Sequence, residues 1–132
     1  MNDWTEKIIA CWVHEKVRLN LGASREEIHQ AEKKLGFLFP KDFKMLYLRV
    51  NGLEDWLPNL FTLWSLEQII AESQICPNPQ FIGFSDYSIH CHDIGFLKDQ
   101  EGIFKYSHAP EKIAETFEIG LTLIQTDSIL IY

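Results

Sequence analysis

No stretch of this chain stays apolar long enough to cross a bilayer, because charges interrupt every hydrophobic run well before about 20 residues. The opening Met1-Asn2-Asp3-Trp4-Thr5-Glu6 has neither the basic start nor the apolar core of a secretory leader, so a soluble, cytoplasmic protein with no membrane role is expected. Cysteine is scarce. Cys11, Cys76 and Cys91 are far apart and fit neither a disulfide framework nor paired zinc ligands, so they read as reduced, mostly buried thiols. Catalytic signatures are missing too: there is no Gly-x-Ser-x-Gly elbow, no glycine-rich phosphate loop and no His-Glu-x-x-His pair. An enzyme is not expected.

Positive charge is scarce in one half of the chain. Residues 1–52 hold nine Lys/Arg against seven Asp/Glu, a balance of +2, whereas residues 53–132 hold three against twelve, a balance of −9. Direct nucleic-acid binding by the second half is not expected, since phosphate recognition needs clustered cations. A basic protein suits it better, although surplus acid also serves plain solubility. The rest of the composition, 46% apolar and 13% aromatic over 132 residues, is that of one domain with a real core.

Hydrophobic spacing predicts a helix from Trp4 to about Asn20, with Trp4, Ile8, Trp12, Val13 and Val17 at helical intervals. Ser24 and Glu27 form a capping box that opens a second helix, which Gly36 closes. Pro40 and Asp42 open a third, running to about Val50 before Asn51-Gly52. A strand is predicted over 60–64, a short helix over 66–72 from a Ser65/Gln68 cap, and strands over 80–84, 88–97 and 102–106 with a turn at Ser85-Asp86. The short links suit an antiparallel meander. Pro110 is read as opening a last helix through Ile113, Phe117, Leu121 and Ile124, and the tail 127–132 as an added edge strand.

The run Gly22-Ala23-Ser24-Arg25-Glu26-Glu27-Ile28, then Glu32, Leu35-Gly36, Phe39-Pro40-Lys41-Asp42-Phe43, Leu46-Tyr47 and Asn51-Gly52 resembles the signature of the SUKH superfamily, with Phe39 where leucine is usual. The Phe81-Ile82-Gly83-Phe84 strand and the segment 113–118 of the expected last helix match in outline. The stretch 88–95 departs from the Asp/Gly-rich strands usual there. The resemblance implies an α+β, Smi/Knr-like fold: one curved antiparallel sheet with helices packed against it. It further implies a binding module without catalytic residues or cofactor. Similar proteins are mostly bacterial immunity proteins that block a cognate toxin, often a nuclease, and a smaller branch serves as intracellular regulatory scaffold.

Candidate contact residues follow from charge and aromatic character. Glu54-Asp55-Trp56 joins acid to a large aromatic in a loop, the chemistry of an interface anchor beside a steering charge, unless Trp56 folds back onto the core. Asp86, Tyr87, Asp93, Asp99 and Glu101 fall at predicted strand ends and turns, where the hairpins would gather them into one acidic surface. His90-x-His92-Asp93 places two imidazoles two residues apart on a predicted strand, facing the same way, but only scattered groups such as His108 offer a third zinc ligand. No metal is expected.

Overall fold

Among the described residues, four of the five α-helices begin where a side-chain oxygen can satisfy free backbone N–H groups. In the computed structural model, which describes residues 3–132, Asp3 caps α1 (Trp4–His14) and Ser24 caps α2 (Arg25–Leu35) through a complete capping box with Glu27. Pro40 precedes α3 (Lys41–Tyr47) without a side-chain cap. Ser65 caps α4 (Leu66–Ile75) and Thr116 caps α5 (Phe117–Gln125). Ser24 and Pro40 thus stand at helix starts, as their sequence positions require.

The strands are β1 (Phe61–Leu63), β2 (Phe81–Tyr87), β3 (His92–Leu97), β4 (Gln100–Tyr106) and β5 (Pro110–Ala114), paired antiparallel in chain order. Register shifts at Gly83/Ser85, Gly95/Leu97 and Ile103/Phe104 bend the strands as bulges do. Alternation then sorts side chains to two faces. Ile82, Phe84, Ile94, Phe96, Ile103 and Ala114 join the helices in the main core, while Phe81, Leu97 and Phe104 form a second cluster with Cys76 and Tyr106. The α+β class with one antiparallel sheet is what the structure has.

Several boundaries differ from the sequence expectation, each for a local reason. Lys16 takes φ of 61°, so α1 stops at His14 and Val17 enters the core from a turn rather than from the helix. Residues 110–114 are β5, not the start of a helix: Pro110 is the first residue of the outermost strand, a place where a sheet tolerates proline. The apolar rhythm that suggested helix is genuine only from Phe117 onward. The tail forms a 3₁₀ turn over Ile129–Ile131, capped by Ser128, instead of an edge strand. Cys11 and Cys91 are exposed and Cys76 is half-buried, so the thiols are not the core residues expected.

The edge of β1 is covered by the chain itself. Leu53 N–H donates to Leu63 O at 2.8 Å and Leu57 N–H to Phe61 O at 2.7 Å, so the loop 53–57 runs as a fringe along that edge. No helix among the described residues is long and apolar enough to cross a membrane.

Candidate functional site

The predicted contact residues do not form one surface. The fold sends them to three places, and each treats its charges differently.

At the β1 edge, Asp55 is held by Arg18 in a two-point pair, with Nε at 3.0 Å and Nη2 at 3.1 Å, and it also accepts from the Arg18 N–H. The guanidinium lowers the Asp55 carboxyl below its ordinary value. Glu54 is exposed, and Trp56 remains 41% exposed, so its ring is not a core anchor.

The second place lies at the far end of the β2–β3 pair, where the sequence suggested a turn at Ser85-Asp86. Instead β2 continues through Tyr87, and the reversal falls at Ser88, Ile89 and His90, which all have positive φ. Asp86 is therefore in a strand, only 3% exposed, and cannot serve as surface charge. Its Oδ1 accepts from Trp64 Nε1 at 2.6 Å and its Oδ2 from His90 N–H at 2.8 Å. Tyr87 packs among Phe61, His92 and Tyr132, with ring centroids 5.0–5.4 Å away.

His90 clasps this end. Its Nδ1 lies 3.0 Å from Asp93 and its Nε2 3.3 Å from Glu72 on α4. Burial works against a charged imidazole, but the hydrogen bond and charge of Asp93, then Asp86 and Glu72, outweigh it and raise the His90 pKa. The Asp93 carboxyl is itself raised, by burial first and then by Asp86 and Glu72, against the pull of His90. Three carboxylates thus crowd one imidazole. The two histidines do not converge as strand neighbours would, because His90 belongs to the left-handed turn. His92 turns to Ile131 O at 2.6 Å, while Asp86, His90 and Asp93 form a three-residue cluster with metal-compatible spacing that sequence spacing had not singled out.

Asp99 and Glu101 occupy the third place, on the β3–β4 hairpin. Asp93 and Leu97 are four residues apart on one strand, about 13 Å, so this hairpin is at the opposite end of the sheet from Asp86 and Asp93. Here the hairpin, the α2–α3 elbow and the β5–α5 junction enclose an open groove of about 510 Å³. Its exposed apolar surface comes from Leu38, 77% exposed, and half-buried Phe37, over a floor backed by the buried rings of Phe96 and Phe117. Asp42, Asp99, Glu101 and Glu115 line it against one ammonium, Lys98. Asp42 is committed to the start of α5, accepting from Glu118 N–H at 2.9 Å, and Glu115 pairs with Lys112 at 2.9 Å. Asp99 and Glu101 are exposed and have no ion-pair partner among the described residues. Sequence reasoning had named these two carboxylates but not the groove, because Leu38 and Glu115 are far from them in the chain.

The model of the SMI1 / KNR4 family (SUKH-1) matches residues 22–122, most of the chain. The chain belongs to the SMI1 / KNR4 family. A search of curated proteins returns no match.

Within this SUKH-1 fold the signature residues have structural tasks. Glu32, buried on α2, accepts from Phe39 N–H at 2.8 Å and pairs with Lys44 at 3.2 Å, which fixes the elbow. Asn51 accepts from Leu66 N–H at 2.8 Å and so ties the end of the α3 region to the start of α4. A Cβ on Gly22 would fall 2.2 Å from Leu48 O. Gly52 has φ of 77°, and a Cβ there would stand 2.6 Å from the Trp64 backbone.

Proposed function

We propose that this SUKH-1 protein is a non-catalytic immunity-type inhibitor that neutralises a cognate, basic protein toxin by binding it directly. The observation that supports this most is the placement of its negative charge. The acidic half of the chain uses several carboxylates internally but leaves Asp99 and Glu101 exposed and unpaired beside exposed apolar surface. Such a surface speeds encounter with a cationic partner and filters out acidic ones. Family membership is consistent with an immunity role, and the adjoining apolar lining supplies area from which water can be removed on binding.

The test is co-expression with the product of the gene directly upstream, where an immunity gene's toxin would be encoded, followed by binding kinetics on the purified pair. The expected result is rescue of growth, a one-to-one complex, and association that slows as salt rises. A regulatory scaffold of the same family would give neither rescue nor a complex with that neighbour.

A further inference from the structure

We propose that the groove between the β3–β4 hairpin and the α2–α3 elbow is the docking site for one segment of the toxin, an apolar side chain flanked by lysine or arginine. This rests on the toxin-binding reading and adds where the toxin is held and by what chemistry.

Of the three places that carry acidic candidates, only this one has both unspent charge and a concave apolar lining. Asp55 already grips Arg18, and its loop uses backbone groups on the β1 edge. Asp86 and Asp93 are occupied by Trp64 and His90. In the groove, by contrast, Asp99 and Glu101 flank Gln100 with their charges open to solvent; Glu115 is answered by Lys112, and the other three carboxylates of the lining face one ammonium, a balance of −2. Lys98 leans back toward the elbow, its Nζ 3.8 Å from where a Gly36 Cβ would stand.

The lining decides what else the occupant must carry. Leu38 is almost fully open although Phe39, next to it, is buried, so the elbow presents an apolar side chain at the lip of the groove. A purely cationic segment would leave Leu38 and Phe37 in contact with water. One with an apolar residue between its charges removes that surface while meeting Asp99 and Glu101. An anionic ligand is disfavoured by the same balance of charge. The volume of about 510 Å³ lies within the range of small binding clefts, enough for a few side chains rather than a whole domain.

Two measurements test this. In the first, the ¹⁵N-labelled protein is titrated with a Lys-Leu-Lys-Phe-Lys peptide and with its Glu-for-Lys counterpart. Amide shifts confined to residues 37–42, 96–103 and 115–118, seen with the first peptide alone, support the groove; shifts centred on 54–57, spread over the surface, or absent at millimolar peptide overturn it. In the second, the upstream gene's product is bound to an Asp99→Lys/Glu101→Lys variant and, separately, to Leu38→Ser, both checked for wild-type circular dichroism. Association about tenfold slower in the first and dissociation about tenfold faster in the second are expected. Both rates unchanged within about twofold, or a loss of binding confined to Trp56→Ala, would remove the groove while leaving the toxin-binding reading intact. If wild-type protein binds no upstream toxin, that reading is what fails, and the peptide titration still decides the groove.

Discussion

Asp86 offers the sharpest test of how charge is used in this fold. Its carboxylate is buried and accepts two hydrogen bonds, from the Trp64 indole and from the His90 backbone, both shorter than 3 Å. Replacing it with alanine leaves both donors without their acceptor, the Trp64 indole in a buried site and the His90 N–H in a part-buried one. A hydrogen bond to a charged group contributes about 1.5–3 kcal/mol, and each orphaned donor costs about 1–3 kcal/mol. Removing a buried charge returns part of that, since its own desolvation is relieved. The expected net loss is about 2–4 kcal/mol, a fall in Tm of about 8–16 °C for a chain of this size. Asp86→Asn, which can accept one of the two bonds, should lose about half as much. Urea unfolding gives the free energies, and the Trp64 Nε1–H resonance reports the lost bond directly. Well below the Tm, affinity for the proposed toxin partner should be unchanged, because Asp86 supports the fold from inside. A stability within about 0.5 kcal/mol of wild type would refute the reasoning, and a large loss of affinity in fully folded Asp86→Ala would return Asp86 to the interface.

His90 and Asp93 both bind a proton more firmly in the fold than their ordinary values of 6.5 and 3.8 imply. The stabilisation from His90 is complete below about pH 6.5 and is lost as pH rises through its raised value, and the raised Asp93 carboxyl acts with the same sign at lower pH. Stability should therefore fall as pH rises above about 6.5, a slope that His90→Gln should reduce in urea titrations at several pH values. Gly52→Ala must put a Cβ against the Trp64 backbone at positive φ, and should cost about 2 kcal/mol or more by thermal unfolding. Glu32→Gln keeps an acceptor for the Phe39 N–H and should cost about 1 kcal/mol, against about 2–3 kcal/mol for Glu32→Ala, measured by chemical denaturation.

Helix starts were legible because a cap is a local device: Ser24 with Glu27, and Ser65 ahead of Gln68, each satisfy backbone groups within one turn. The meander was legible for the same reason, since short links force antiparallel neighbours. The errors lie where tertiary contacts overrode spacing. Pro110 looked like a first-turn proline, but the β4 edge needed a partner and took 110–114 as a strand. Ser85-Asp86 looked like a turn, but Trp64 needed a buried acceptor for its indole, and three left-handed residues further on made the reversal. The candidate site was half legible. Charge asymmetry named Asp99 and Glu101, but the assumption that all the acids meet failed, because strand ends alternate between the two ends of a sheet.

Most of the residues that reveal the family lie away from the proposed docking groove, although Pro40 and Asp42 line it. Glu32, Gly22, Asn51, Gly52 and Asp42 each fasten one element to another, and the space around them is occupied by backbone or by a committed hydrogen bond. A substitution there perturbs the scaffold whatever the protein binds. The hairpin acids and Leu38 are under no such constraint: they are exposed, unpaired or unpacked, and the sheet beneath them is fixed by Phe96 and Ile103 in the core. Changing them should alter which partner is captured at little cost in stability, whereas changing the signature should cost stability for every partner alike.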